Sequence, residues 1–178
     1  GYAISKIISL KYCQYVKQKF KKNFISIQPA NLYGEGDNFD LKSSHVLPAL
    51  VKKFTIAKKN KKKFVEVWGS GNVRREFLNV NDLADAVLFL LKKNIKDDFI
   101  NIGSGEDISI KKLAYSIKKI VNYQGEVIFN NNFPDGVKKR KIDCSKIKKL
   151  GWRPKIKFNE GLENYCKYYL ERIMPIEY

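Results

Sequence analysis

The sequence predicts an α/β fold, because short strand-like runs alternate with longer helical segments along the chain. Runs such as Phe64–Trp68 and Phe99–Ile102 have the length and the β-branched or aromatic content of strands. Residues 3–20 instead repeat apolar side chains at the spacing of a helix. Glycines at 69–71 and 103–105 mark tight turns directly after strands.

The elements can be assigned in chain order from these signals. Strands are predicted at 25–28, 64–68, 74–78, 99–102 and 126–129. Helices are predicted at 3–20, 46–54, 84–91, 110–121, 143–150 and 158–174. Three of these helices are preceded by polar residues that can accept hydrogen bonds from the first helical turn. They are Ser43 and Ser44 for the helix at 46–54, Asn81 or Asp82 for the helix at 84–91, and Ser109 for the helix at 110–121. Residues 34–42 are predicted to be a polar loop, and residues 134–136 a turn.

The composition narrows the class of protein. A hydrophobic content of 44% with 13% aromatic residues is typical of globular domains. No run of 18 apolar residues predicts a membrane span, so no membrane partner is expected. Three widely spaced cysteines and a single histidine predict neither a disulfide framework nor a metal site. Reduced thiols of this kind are typical of a cytoplasmic protein.

The net charge of +17 comes from 35 basic and 18 acidic residues, and it favours partners that carry phosphate. Only five of the basic residues are arginines, the residue that usually reads bases and phosphates. The lysines are spread along the whole chain. Solvated lysine faces with one local phosphate site are therefore favoured, and no nucleic acid partner is expected. A non-catalytic module that binds a polyanion remains an alternative.

Tyr2 and Lys6 form the first candidate for chemistry. Residues four apart on a helix lie on one face, one turn above each other. An ammonium held close to a phenol favours the phenolate form, so the tyrosine can exchange a proton with a carbinol oxygen. An isolated Y-x-x-x-K match is more often an accident or a surface pair. His45, at the start of a predicted helix, is suited to proton transfer, although a lone histidine is more often structural.

Five segments together carry a specific resemblance. They are N-L-Y-G at 31–34, S-H-V at 44–46, V-W-G-S-G at 67–71, R-E-F-L at 75–78 and P-D-G at 134–136. The set resembles the GDP-L-fucose synthase family of extended short-chain dehydrogenases/reductases, and the similarity runs essentially from end to end of the chain. The resemblance implies the C-terminal part of an NADP-binding, Rossmann-type doubly wound fold plus a smaller α/β substrate-binding domain. It assigns residues 1–34 and 76–102 to the dinucleotide domain, and residues 35–75 and 103–178 to the substrate domain.

The resemblance also implies a reaction. Enzymes of this family convert GDP-4-keto-6-deoxy-D-mannose to GDP-L-fucose by epimerisation at sugar carbons 3 and 5, followed by NADPH reduction of the 4-ketone. Tyr2 is then the proton donor to the oxygen on carbon 4, Lys6 assists it and contacts the nicotinamide ribose, and His45 is the acid/base of epimerisation. The cofactor-binding positions implied for NADP are Lys6, Pro29, Ala30, Asn31, Leu32 and His45. Those implied for the GDP-sugar are Lys53, Trp68, Arg75 and Asp135.

Some features depart from the family pattern. Lys53 stands where the family usually has arginine, which keeps the charge but loses the planar fork. Asn79 and Asn81 replace a more usual His and Asp. The chain begins inside a helix pattern, so the glycine-rich phosphate loop, the serine of the Ser-Tyr-Lys set and the partner cysteine are expected before Gly1. The isolated chain is accordingly predicted to be inactive, and the intact protein to be a homodimer. Another nucleotide-sugar epimerase or dehydratase of the same superfamily is the nearest alternative.

Overall fold

The computed structural model describes residues 1–177, with Glu177 described by its backbone alone. Tyr178, the last residue assigned to the predicted substrate domain, lies outside the described residues. The helices are α1 Tyr2–Phe20, α2 Val46–Lys59, α3 Val80–Leu91, α4 Ile110–Ile120, α5 Ser145–Lys149, α6 Phe158–Tyr168 and α7 Met174–Glu177. The strands are β1 Ser26–Pro29, β2 Asn31–Tyr33, β3 Phe64–Trp68, β4 Arg74–Asn79, β5 Phe99–Ile102, β6 Asp107–Ser109, β7 Glu126–Asn130 and β8 Lys139–Arg140. Strands and helices alternate, which confirms the predicted α/β class.

The strands pair mainly in parallel, as expected when helices connect them. β1 pairs with β5, β2 pairs with β4, and β3 pairs with β7, all in parallel. β4 also pairs with β6 in antiparallel and with β8 in parallel. β4 is therefore a strand on which three others meet. The register places Trp68 opposite Asn130 and Arg75 opposite Arg140.

Two clusters of buried apolar side chains form the core. The first is built around α2, α4 and α6 and includes Phe54, Leu113 and Leu162. The second is built around β5, α3 and α5 and includes Ile100 and Ile147. Burial of such side chains stabilises each cluster by roughly 1.5–3 kcal/mol per residue. β4 contributes neighbouring residues to both clusters, because successive strand side chains point to opposite faces.

Two predicted helix caps were wrong. The residue that precedes α2 is His45, with extended backbone, while the Ser43 hydroxyl donates to Asp40 Oδ2. α3 begins earlier than predicted, and its cap is Asn79, whose side chain accepts from the N–H of Asn81. Asp82 is instead buried and accepts from backbone N–H groups of the segment that precedes α6.

Two further predictions concern the other helix ends. The cap at Ser109 was correct, because its hydroxyl accepts from the N–H of Lys112. The helix predicted over 158–174 is interrupted, because residues Tyr169–Ile173 form a π-helical segment between α6 and α7.

Helix α1 has no buried residue although it is 19 residues long. Most of its apolar side chains are exposed, with Ile8 at 62% and Tyr12 at 66%. One side chain attaches its C-terminal half to the rest of the molecule: Lys17 Nζ donates to the carbonyls of residues 95–97. Among the described residues, no helix is both long and apolar enough to cross a membrane.

Candidate functional site

The Tyr2–Lys6 pair lies in the first turn of α1. Lys6 Nζ lies 5.3 Å from the centroid of the Tyr2 ring, so the predicted proximity on one helix face is confirmed. Tyr2 is 79% exposed. The pair is therefore exposed at the start of α1. Its role in proton transfer stays a prediction.

The segment predicted to face the nicotinamide lies at the carboxyl end of β1 and in β2. Residues 29–32 are all partly buried. The backbone N–H of Ala30 donates to the carbonyl of Ile102, and Asn31 Nδ2 donates to the carbonyl of Glu76 at 2.8 Å. The segment is therefore held to two neighbouring strands, β5 and β4. Ligands of open α/β sheets bind at such carboxyl ends.

His45 is exposed and immediately precedes α2. Its backbone carbonyl accepts from the N–H of Ala49, so the residue is fixed at the helix start while its imidazole projects without capping the helix. Among the described residues, no hydrogen bond, ion pair or ring contact joins His45 to Tyr2 or Lys6. The predicted acid/base role of His45 stays a prediction.

Lys53 and Trp68 lie against each other. Lys53 Nζ lies over the indole, 4.8 Å from the ring centroid, and donates to the carbonyl of Glu66 at 3.2 Å. Burial lowers the pKa of the half-buried Lys53 ammonium, and the nearby Glu66 carboxylate partly opposes that change. A cation at this distance from an indole is attracted by the ring's negative face. The two predicted substrate residues therefore form one surface that is both aromatic and cationic.

The indole of Trp68 is held although it is 58% exposed. Its Nε1–H donates to Glu66 Oε1 at 3.2 Å. The ring of Phe133 stacks on it, with centroids 4.5 Å apart and planes 13° apart. Both contacts come from side chains that lie in or next to the β3–β7 pair.

Arg75 is the second cationic part of the site. Its Nη1 donates to the carbonyls of Arg74 at 2.9 Å and of Val137 at 2.7 Å, which fixes the plane of the guanidinium. Partial burial lowers the pKa of Arg75, as does Arg140 on the paired strand, and Asp135 opposes both. Two arginines beside one carboxylate leave an excess of positive charge, which suits a diphosphate.

Asp135 holds the turn that follows Trp68. Its two carboxylate oxygens accept from the N–H and the hydroxyl of Ser70, each at 2.7 Å. The Ser70 hydroxyl, then the Ser70 N–H, and more weakly Arg75, lower the pKa of Asp135 below its ordinary value. Gly69 has a φ of 82°, and a Cβ there would meet Asp135 Oδ1. The close approach of turn and carboxylate therefore requires glycine at position 69.

The structure brings the four predicted substrate residues together. Lys53 contacts Trp68, Trp68 leads into the turn that Asp135 holds, and the Arg75 guanidinium lies beside Gly136. Arg74, which the alternation of a strand directs away from this set, binds Asp107 on β6 instead. No hydrogen bond, ion pair or ring contact of the described residues joins Tyr2, Lys6 or His45 to the set.

Three residues of this surface were missed from the sequence. Phe133 stacks on Trp68, Glu66 binds the indole, and Arg140 lies opposite Arg75. Phe133 and Arg140 lie in or beside a loop, where no periodic pattern marks them. The alternation of β3 could have identified Glu66, because residues two apart on a strand share a face.

Two cavities lie elsewhere. One of about 650 Å³ is lined by Tyr33, Arg74 and residues of the segment before α6, among others. Another of about 530 Å³ is lined by Lys139, Lys141, Lys148 and residues 142–145. Neither contains a predicted site residue, because the Lys53–Asp135 set forms an open surface. Among the side chains that the structure describes, no three metal-ligating groups come together.

Comparison with known proteins identifies the class. The model of the NAD dependent epimerase/dehydratase family matches residues 1–103, more than half of the chain. The chain therefore belongs to the NAD dependent epimerase/dehydratase family. Its structural neighbours share the Rossmann-like fold of these epimerases and reductases.

More specific similarity is to enzymes that make GDP-L-fucose. GDP-L-fucose synthase 1 of Arabidopsis thaliana is 42% identical over 172 residues, covering 97% of this chain and 53% of that protein. The GDP-L-fucose synthase of Escherichia coli (strain K12) is 37% identical, covering 96% and 56%. The chain thus spans about half the length of the curated relatives it matches.

Solved structures agree with this similarity. The NADP-bound GDP-L-fucose synthetase of Naegleria fowleri has a TM-score of 0.88 at 27% identity, covering 97% of this chain and 56% of that one. A GDP-6-OMe-4-keto-L-xylo-heptose reductase from C. jejuni has a TM-score of 0.84 at 35% identity, covering 94% and 59%.

Proposed function

We propose that this chain is part of an enzyme that converts GDP-4-keto-6-deoxy-D-mannose to GDP-L-fucose with NADPH, and that it carries most of the GDP-sugar site. The observation that carries the proposal is the convergence of Lys53, Trp68, Arg75 and Asp135 on one surface. These residues come from three separate parts of the sequence, and the resemblance had assigned each of them to the GDP-sugar. The similarity to GDP-L-fucose synthases supports the same substrate.

Each part of the surface suits one part of a GDP-sugar. The guanidinium of Arg75, reinforced by Arg140, matches a diphosphate, because a planar fork can donate two parallel hydrogen bonds. The indole of Trp68 lies beside Lys53 and Phe133 but is still 58% exposed, so it offers apolar surface to a ring. Lys53 adds a positive charge beside the indole. Burial lowers the pKa of its ammonium. Asp135 holds the turn in place and keeps the diphosphate side of the surface ordered.

The proton-transfer groups are Tyr2, Lys6 and His45. NADPH, when bound, would supply the hydride that reduces the 4-ketone. Tyr2 then gives its proton to the oxygen on carbon 4, and the Lys6 ammonium beside its ring favours the phenolate that remains. His45 moves the protons next to the ketone during epimerisation, where donors at the carbonyl oxygen lower the barrier to an enolate.

The residues present fit one end of NADP. The Tyr2–Lys6 pair and segment 29–32 are suited to the nicotinamide and its ribose. The pair offers a phenol and an ammonium as hydrogen-bond donors, and the segment is a strand end that a hydrogen bond to β4 holds in place. A glycine-rich turn before a helix, which binds the pyrophosphate in this kind of fold, is not found in residues 1–178. We therefore expect this chain alone to bind NADP weakly and to be inactive.

A second candidate is a GDP-sugar 4-keto reductase that does not epimerise. The similarity at 35% identity to a C. jejuni heptose reductase favours it. The two candidates differ in exchange of the hydrogens at sugar carbons 3 and 5 with solvent. In deuterated water, the intact enzyme should incorporate deuterium at both carbons if it is a GDP-L-fucose synthase, and at neither if it only reduces.

The proposal extends to the assembly and location of the intact protein. A homodimer would cover the exposed apolar face of α1, which carries Ile4, Ile8 and Tyr12. A cytoplasmic location suits the three cysteines, all of which are free thiols. Sedimentation of the intact protein tests the dimer.

A thermal melt of this chain with ligand tests the substrate assignment. GDP-fucose should raise the midpoint, because a ligand that binds only the folded state stabilises it by mass action, whereas UDP-glucose should not. Arg75→Ala should abolish the GDP-fucose shift. Arg74→Ala is the matched control, since the neighbouring arginine binds Asp107 on the other side of β4 and should keep the shift. A shift that survives Arg75→Ala, or is equal for the two ligands, would contradict the proposal.

A further inference from the structure

Residues 130–137, here called the clasp segment, contact two of the four predicted substrate residues and contain a third. Phe133 stacks on Trp68, and the carbonyl of Val137 accepts from Arg75 Nη1. The third of these residues, Asp135, belongs to the segment itself and binds the Ser70 turn. A single stretch of chain therefore connects the aromatic and the cationic parts of the surface.

Asn130 folds the clasp segment into its turn. Its Oδ1 accepts from the N–H of Asn132 at 3.0 Å, and its carbonyl accepts from the N–H of Phe133 at 3.3 Å and of Gly69 at 2.9 Å. Such a side-chain-to-backbone bond two residues on is an Asx-turn, which fixes the direction of the chain. The turn thus aims Phe133 at the end of β3, where Trp68 lies.

Asn130 also supports the residue that holds the indole. Its Nδ2 donates to Glu66 Oε2 at 3.1 Å, while Glu66 Oε1 accepts from Trp68 Nε1. The carboxylate is thereby fixed at both oxygens. One hydrogen bond sets the rotation of the indole, one stacked ring covers part of it, and the Lys53 ammonium lies over it. An exposed tryptophan would otherwise change rotamer freely on a ps–ns timescale.

We propose that Phe133 and Asn130 are positioning residues that hold the indole of Trp68 in one orientation, ready to receive a ring of the nucleotide sugar. This inference rests on the proposed GDP-sugar site. A side chain that is already immobile loses less entropy when a ligand binds, so its support increases affinity without touching the ligand. Neither residue needs to contact the GDP-sugar for this effect.

Loss of a positioning residue should change the mobility of the indole, whereas loss of an ordinary packing residue changes the free energy of unfolding. Phe133 is 38% exposed and belongs to neither core cluster, so its removal should leave the free energy of unfolding nearly unchanged. The mobility of the indole should change instead. Trp68 can be followed by fluorescence because the other tryptophan, Trp152, is 4% exposed and poorly accessible to a neutral quencher.

The experiment compares four forms of this chain: wild type, Phe133→Ala, Phe133→Tyr and the control Phe64→Ala. Phe64 is a second exposed phenylalanine, at the opposite end of β3 from Trp68. Acrylamide quenching and fluorescence anisotropy report on the indole, and calorimetric titration with GDP reports on affinity. Phe133→Ala should increase quenching, lower the anisotropy and weaken GDP binding about 2- to 10-fold. Phe133→Tyr, which keeps the stacked ring, should leave the quenching, the anisotropy and the GDP affinity at their wild-type values. Phe64→Ala should also change none of the three.

The outcomes separate this inference from the proposed function. Unchanged quenching and anisotropy in Phe133→Ala would overturn the inference, and so would changed fluorescence with unchanged GDP affinity. Absence of GDP binding by the wild type would overturn the proposed function itself. Asn130→Ala provides a second test, because it removes the side-chain bond to the N–H of Asn132 and the support of Glu66 while leaving Phe133 in the sequence. It should reproduce the changes in quenching and anisotropy, and a wild-type signal from this variant would also overturn the inference.

Discussion

The buried carboxylate of Glu76 provides the strongest test of how this chain is held together. Glu76 is 1% exposed and accepts hydrogen bonds at both oxygens. Oε1 accepts from the N–H of Gly105 at 2.7 Å, and Oε2 accepts from the N–H of Ile142 at 2.9 Å. It thereby ties β4 to the turn after β5 and to the segment before α5.

Replacement of Glu76 by glutamine keeps the shape but leaves one acceptor oxygen for two N–H donors. One backbone N–H then faces the amide NH₂ and has no acceptor. Loss of a hydrogen bond to a charged group costs about 1.5–3 kcal/mol, and a buried unsatisfied donor costs about 1–3 kcal/mol. Since the two costs overlap, we expect a loss of about 3 kcal/mol in the free energy of unfolding. For a chain of this length, that corresponds to a fall of roughly 6–12 °C in the midpoint temperature.

Urea denaturation of wild type and Glu76→Gln measures this loss. Glu106→Gln is the matched control, because it makes the same chemical change on an exposed residue close to Gly105, where the effect should stay within about 0.5 kcal/mol. A loss below about 1 kcal/mol in Glu76→Gln, with an unchanged denaturant slope, would refute the reasoning. It would mean that the two N–H groups find other acceptors.

Two further predictions follow from other residues. The pKa of Asp135 is lowered, so its contribution to stability is complete above the unfolded-state pKa of about 3.9 and is lost as the pH falls through the lower folded-state pKa. Ser70→Ala should therefore make the midpoint temperature less sensitive to pH in that window. An unchanged dependence of the midpoint temperature on pH would contradict this. Among the thiols, Cys13 is partly exposed whereas burial raises the pKa of Cys144 to about 11 and of Cys166 to about 12. Native protein should therefore react with a disulfide reagent at one thiol rapidly and at the other two only on unfolding, and three equal rates would show that the core opens.

The elements that were predicted well are those whose signal is local. β3 and β5 were assigned with the observed bounds, because turn residues follow short apolar runs in both. The cap at Ser109 was found because the hydroxyl and its N–H partner lie within one turn. The Tyr2–Lys6 proximity likewise follows from helix geometry alone.

The predictions that failed depend on residues far apart in the chain. Asp82 was expected to cap α3, but its carboxylate binds N–H groups of residues 155 and 156. Ser43 is the exception, because it was expected to cap α2 and a residue only three positions away, Asp40, accepts from its hydroxyl instead. The pairing of β3 with β7 has no local signal either. Phe133 could not be found for the same reason, because its stacking on Trp68 exists only once these two strands are paired.

Strand β4 links the stability of the fold to the geometry of the site. Phe77 lies in the first core cluster and Leu78 in the second, so the register of the strand is fixed from both sides. A shift by one residue would exchange the two faces, moving Arg75 toward the second cluster and the Glu76 carboxylate toward the site. Because the two apolar anchors remain in Glu76→Gln, we expect that variant to lose stability but to keep its affinity for GDP at temperatures where it is folded. A parallel loss of both would mean that the Glu76 hydrogen bonds, and not the apolar residues, hold Arg75 in place.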